Sequence, residues 1–204
     1  MKTELKDFDR VELFEHYNTQ DNPFLYVTTK VDITNIHKMC KKYYASISYF
    51  IAMATNRIEN FRYRYEDGQV YLYDKLKPNF TQMLKDNNIG YFTCDFKESY
   101  GEFIEEYLEV QNKFHTTGKS CANEDKGEVW CSYVPWYNFT SIITPFNKEN
   151  TVPQFMWDKF AFEDDNVYIN LTIMAHHGFV DGYHIKLFLD EFNEIIMNLE
   201  QYIR

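Results

Sequence analysis

The 204-residue chain is 45% hydrophobic and 19% aromatic, with 17 Tyr and 18 Phe, which is enough apolar material for one substantial core. Its formal net charge of −10, without a basic run, argues against a nucleic-acid partner. Met1 to Arg10 (MKTELKDFDR) is charged, and no apolar run reaches membrane-spanning length, so a cytoplasmic protein without membrane contact is expected, with Cys40, Cys94, Cys121 and Cys131 as reduced thiols.

In chain order, Phe24 to Ile33 reads as a strand, rich in β-branched and aromatic residues. Thr34 is placed to cap a helix running to about Tyr43. A more apolar helix is expected over Ser46 to Ile58, with Ile47, Phe50, Ile51 and Ala54 at helical spacing. Arg62 to Tyr65 and Gln69 to Tyr73 flank a Glu-Asp-Gly turn, the pattern of a hairpin. Tyr91 to Asp95 reads as a strand. Tyr100 to Phe114 reads as a helix with Phe103, Tyr107 and Val110 on one face. Strands are then expected at Trp130 to Pro135, Thr140 to Thr144, Phe155 to Phe162 and Val167 to Met174, before a closing amphipathic helix from Tyr183 to Tyr202. Neither repeats nor linker-like stretches interrupt this order, so 1–204 reads as a single domain. Strands mixed with helices give an α/β (α+β two-layer) class.

The chemistry gathers at Ala175-His176-His177-Gly178-Phe179-Val180-Asp181-Gly182. An apolar strand (VYINLTIM) delivers a histidine pair to a turn, and Asp–Gly follows where a helix begins. Imidazole is the side chain whose ordinary pKa suits proton abstraction near neutrality. On a strand the two rings point to opposite faces, which argues against a shared metal ion. A buried, hydrogen-bonded histidine with Asp181 capping the last helix is the other reading that this short pattern allows.

This segment resembles the His-His-x-x-x-Asp-Gly string of the chloramphenicol acetyltransferases, a string shared with dihydrolipoyl acyltransferase catalytic domains and peptide-synthetase condensation domains. Further segments resemble the same family in the same order. FDRVELFEHY (Phe8–Tyr17) is similar to its W-x-R-x-E-x-F-x-x-Y opening, and KVDIT (Lys30–Thr34) to its K-[IV]-D-I-T step. ATNRIENFR (Ala54–Arg62) is similar to A-V-N-x-x-x-E-[FL]-R, and CSYVPWYNF (Cys131–Phe139) to x-S-x-[LI]-P-W-x-x-F.

The resemblance implies a mixed β-sheet covered by helices and an acetyl-CoA-dependent O-acetyltransferase acting on the hydroxyl of chloramphenicol, as in antibiotic inactivation. It implies no permanently bound cofactor and no metal, with acetyl-CoA as co-substrate. His177 matches the general base and Ser132 the donor to the oxyanion. Asp181 and Arg10 match a pair that holds the site's geometry, and His176 matches a structural position. Trp136 and Lys159 fall in segments near the coenzyme. Tyr17, Asp21, Leu25, Thr144 and Met156 fall where the acceptor pocket is lined. A homotrimer with active sites between subunits is likewise implied.

The chain departs from the family at the pocket. Asp21 stands where an apolar residue is expected, and a buried aspartate there would be costly unless paired. TSIITP (Thr140–Pro145) replaces D-[GS]-F-N-L-N, Met156 replaces a threonine, and Gly178-Phe179-Val180 is bulkier than x-V-C. Another hydroxyl or amine acceptor, or a non-catalytic trimeric binding relative, therefore stands beside chloramphenicol acetylation.

Overall fold

The computed structural model describes residues 1–85, 87–121 and 126–204. It is a mixed α/β protein with five α-helices and ten strands among those residues. The main sheet runs β2 (Phe24–Asp32), β10 (Asn166–His176), β8 (Gln154–Trp157), β7 (Glu128–Tyr133), β5 (Lys77–Met83) and β6 (Ile89–Thr93), with β9 (Ala161–Glu163) also paired to β10. The β7–β8 and β5–β7 pairs are parallel and the rest antiparallel. A small second sheet joins β1 (Lys2–Leu5), β4 (Gln69–Tyr73) and β3 (Tyr63–Glu66), the last two being the expected hairpin.

Strand alternation decides which face is covered. Ile169, Leu171, Ile173 and Ala175 of β10 pair with Val31, Thr29, Val27 and Leu25 of β2, and this side joins the main core with Cys131, Phe155 and Trp157. Against it pack α3 (Tyr43–Asn56), α4 (Tyr100–Thr117) and α5 (Gly182–Met197). α3 is apolar on nearly every side and is buried accordingly. Its buried hydroxyls at Ser46, Ser48 and Thr55 each donate to a carbonyl one turn back, so they cost little inside the core. α4 is amphipathic, burying Phe103, Tyr107 and Phe114. Ser99 caps its start and Gly118, at φ +63°, its end. The opposite side of the sheet carries Thr28, Thr172, Met174, Gln154, Met156, Trp130, Ser132, Asn79, Thr81 and Tyr91.

The expected elements hold with local corrections. Thr34 is not a cap: it is the first residue of α2 (Thr34–Met39). Its amide donates to Asp32 Oδ1 and its Oγ1 accepts from Val167 N–H. The chain breaks after Met39, so α3 starts earlier than expected, at Tyr43. Thr140 to Thr144 forms no strand. Phe155 to Phe162 is two strands broken by Asp158, Lys159 and Phe160. β1 and β5 were not expected. Among the described residues no helix is long and apolar enough to cross a membrane.

Candidate active site

β10 pairs with β2 along nine residues and carries the pairing one step further, where His177 N–H donates to Pro23 O (2.8 Å). The chain then folds back, with the amides of Phe179 and Val180 both donating to His176 O (2.9 Å each). Gly178 is required by close approach: a Cβ there would sit 2.7 Å from the Phe14 Cα of α1 (Val11–Asn18). Phe179, the bulkier residue of this turn, points into the core rather than toward a pocket. Its ring stacks on Phe14 (4.8 Å, 8°) and contacts Phe8 and Tyr63. Asn60, to which the sequence reading gave no role, donates to Phe179 O (3.0 Å) and ties the turn to the hairpin side.

Within this frame His177 is half-buried, its ring stacked on Tyr17 at 4.2 Å and 17°. Nδ1 lies 3.2 Å from Val180 O. A carbonyl oxygen only accepts, so Nδ1 carries the hydrogen and Nε2 keeps its lone pair. The tautomer is thus set by the backbone of its own turn.

His176 takes the opposite environment. It is 1% exposed, packed against Phe14, Phe24 and Phe179, and its Nδ1 accepts from Gly178 N–H (3.2 Å). Burial, with a smaller contribution from His177, pulls its pKa down to about 4, so it is neutral at pH 7.

Asp181 caps α5. Its Oδ1 accepts from the amides of Tyr183 (2.9 Å) and His184 (3.4 Å), and His184 Nδ1 accepts from the Asp181 amide in return. Its Oδ2 takes Arg10 Nη1 at 3.0 Å, while Arg10 Nε donates to Gly178 O (3.1 Å). Arg10 therefore clamps the start of the turn to the start of the helix. The carboxyl is held below its ordinary pKa: burial raises it, and His184, the Tyr183 amide and Arg10 together outweigh that.

Ser132 lies on the side of the sheet opposite the helices, in a cavity of about 570 Å³ that Thr144 and Met156 also line. Trp130, Gln154, Asn79, Thr81 and Tyr91 are among its other lining residues, and sequence reading missed them. Their signal was available, because Trp130 is two residues from Ser132 and the others sit at matching parity on neighbouring strands. Glu128 fixes this wall, taking Trp130 Nε1 (3.0 Å), Thr93 Oγ1 (2.6 Å) and Asn79 Nδ2 (3.2 Å). His177, Arg10, Tyr17 and Asp181 do not line this cavity, so within one chain the predicted residues fall into two groups.

The remaining predicted residues scatter. Leu25 stands on the helix-covered face of β2, opposite Ala175. Asp21 is exposed in the loop before β2 and carries no burial cost within the chain. Trp136 is 62% exposed in the loop after β7, and Lys159 is exposed beside it, its amide 3.3 Å from Tyr137 O. Among the described residues no cluster of three or more His, Cys, Asp or Glu could hold a metal ion.

The fold is that of known acetyltransferases. A chloramphenicol acetyltransferase superposes with TM-score 0.81 over 96% of this chain and 100% of its own, at 22% identity. A dihydrolipoamide acetyltransferase from Azotobacter vinelandii superposes with TM-score 0.69 over 98% and 95%, at 14% identity. Relatives at the sequence level narrow this. A chloramphenicol acetyltransferase from Clostridium perfringens is 30% identical over 203 residues, covering 96% of this chain and 97% of its own. One from Staphylococcus aureus is 31% identical over 211 residues, covering 98% and 97%. The chain belongs to the chloramphenicol acetyltransferase family, whose model matches residues 1–193.

Proposed function

We propose that this protein transfers the acetyl group of acetyl-CoA to the hydroxyl of chloramphenicol, with His177 as general base. The observation that carries this reading is the placement of the His177 ring. Nδ1 is committed to Val180 O and Tyr17 covers one ring face, which leaves Nε2 as the free basic edge of a fixed ring. His177 Nε2 takes the proton of the acceptor hydroxyl as that oxygen bonds to the acyl carbon. The carbon–sulfur bond breaks, and the proton passes from the imidazolium to the departing sulfur. Ser132 donates a hydrogen bond to the acyl oxygen as negative charge builds on it. Arg10 and Asp181 are assigned to holding the turn, because their bonds go to Gly178 O and the α5 cap rather than to a reacting group. Trp136 and Lys159 are assigned to the coenzyme; Tyr17, Asp21, Leu25, Thr144 and Met156 to the acceptor.

The division of these residues into two groups supports an assembly of chains, in which the His177 turn of one copy faces the Ser132 cavity of the next. A homotrimer with sites at its interfaces fits this reading, as does a cytoplasmic location for an acetyl-CoA-dependent enzyme. The replaced segment Thr140–Pro145, Asp21 and Met156 support a second reading, acetyl transfer to another hydroxyl or amine acceptor.

The test is thiol release from acetyl-CoA with chloramphenicol as acceptor, in wild type and His177→Ala. Turnover in the wild type that vanishes in the variant is the expected result. Binding of acetyl-CoA without turnover would move the search to other hydroxyl or amine acceptors. Unchanged turnover in His177→Ala would remove the base from the reading altogether.

A further inference from the structure

Asp158 is fully buried, in the break between β8 and β9, and takes no part in the His177 or Ser132 groups. Oδ1 accepts from the Asn170 amide (2.7 Å). Oδ2 accepts from Asn170 Nδ2 (2.8 Å), Phe139 N (3.1 Å) and Asn138 Nδ2 (3.2 Å). A carboxylate in such a place is expensive unless its lone pairs are satisfied, and four donors from two other segments satisfy them. One of those segments is β10, the best-paired strand of the sheet. The other is the loop after β7, which has no regular structure of its own. The same loop gains further bonds to this break: Asn138 Nδ2 donates to Lys159 O, Lys159 N to Tyr137 O, and Val134 N to Trp157 O.

What the loop presents is two large aromatic side chains held out in solvent, Trp136 and Tyr137, 62% and 56% exposed. An exposed indole lacks core packing to fix its direction, so its position depends on the backbone beneath it. Asp158 holds that backbone from the far side while its own chain places Lys159 alongside. We propose that Asp158 is a positioning residue for the coenzyme subsite, orienting the Trp136 loop against Lys159 so that both meet acetyl-CoA. This rests on the assignment of Trp136 and Lys159 to the coenzyme. An acceptor-only group is required: in Asp158→Asn an NH₂ would face donors, and the Phe139 amide could not turn away.

The experiment is steady-state kinetics of the full chain, with each substrate varied in turn. Asp158→Asn is expected to raise KM for acetyl-CoA about tenfold, with kcat and KM for the acceptor within about twofold of wild type. Asn138→Ala removes the loop's side-chain bonds to Asp158 Oδ2 and Lys159 O and keeps the Asn170 bonds, so it should raise the same KM about threefold without loss of fold. Trp136→Ala is the reference for the subsite itself. A rise in Trp136→Ala without one in the folded tether variants overturns the positioning role and keeps the subsite. If Asp158→Asn does not fold, Asp158→Glu, which keeps the acceptor but shifts it, takes its place beside Asn138→Ala: a raised KM for acetyl-CoA in both supports the positioning role, and an unchanged one in both overturns it. No rise in Trp136→Ala overturns the coenzyme assignment and the positioning role with it. A lower kcat and lower Tm with both KM values unchanged would assign Asp158 to stability only, and would also overturn the proposal.

Discussion

The turn that holds His177 and the sheet face that holds Ser132 are built by opposite means. The turn is over-determined: its carbonyls receive Arg10 Nε, Asn60 Nδ2 and His177 Nδ1, its amides close on His176 O, and Phe179 anchors it in the core. The Ser132 face is a row of side chains at alternate strand positions, walled by a loop, 140–145, without regular structure. A base must sit within a fraction of an ångström of its proton, whereas a pocket wall need only exclude what does not fit. The first region leaves little freedom for sequence change, and the second leaves much.

Substitutions in the two regions should separate by what they alter. The largest expected effect is that of His177→Ala, a loss of about 10²–10⁴ in kcat measured by thiol release, with Tm close to wild type. Ser132→Ala should lower kcat by about 10²–10³ with little change in KM for either substrate, the pattern of an interaction made only as charge develops. A Ser132→Ala enzyme with unchanged kcat would take the cavity out of the chemistry.

The third expectation concerns acid. His176 has a folded pKa of about 4 against an ordinary 6.5. Above pH 6.5 both states are neutral at this ring and its full contribution is present. As pH falls from 6.5 toward 4 the unfolded chain takes up the proton first, and stability declines by up to roughly 3 kcal/mol. Urea midpoints at pH 7 and pH 5 should differ in that direction, and His176→Phe should flatten the dependence. The smallest effect is expected for Arg10→Met, which keeps the stem but releases Gly178 O and Asp181 together. A kcat lower by about tenfold, with a coupling of roughly 1.5–3 kcal/mol to Asp181→Asn in a double-mutant cycle, would show that the clamp acts as one unit.

Much of the helical half was legible because its residues repeat at helical spacing and its caps are local. Asp181 caps α5 as expected, whereas Ser99, to which the sequence reading gave no role, caps α4. Strands were legible where β-branched and aromatic residues run without a break, as for β2 and β10. β5 was hidden by Pro78, which interrupts the pattern, and β1 by being short and largely polar. The Thr140 to Thr144 run has the β-branched composition of a strand but stops at Pro145 and finds no pairing partner; Thr144 bonds instead to Gln154 and Met174 side chains at the cavity. Among the candidate residues, His177, Asp181 and Arg10 could be singled out from sequence, since the motifs carry them. The carbonyls of Pro23, Gly178 and Val180 could not, because backbone atoms leave no mark in the letters. Asp158 was equally silent: its role comes from donors at Asn138, Phe139 and Asn170, which only the fold brings together.

The placement of β10 has a consequence for how the molecule comes into being. It is the strand that joins β2 to β8, yet it is the last strand of the chain, and the Thr28–Thr172 hydroxyl pair spans 144 residues of sequence. Until β10 has left the ribosome, β2 and β8 stand as bare edges that cannot be joined, and such long-range pairing is slow to form and open to aggregation while it waits. The histidine turn follows directly behind that strand. The His177 turn is therefore fixed only when the sheet is closed.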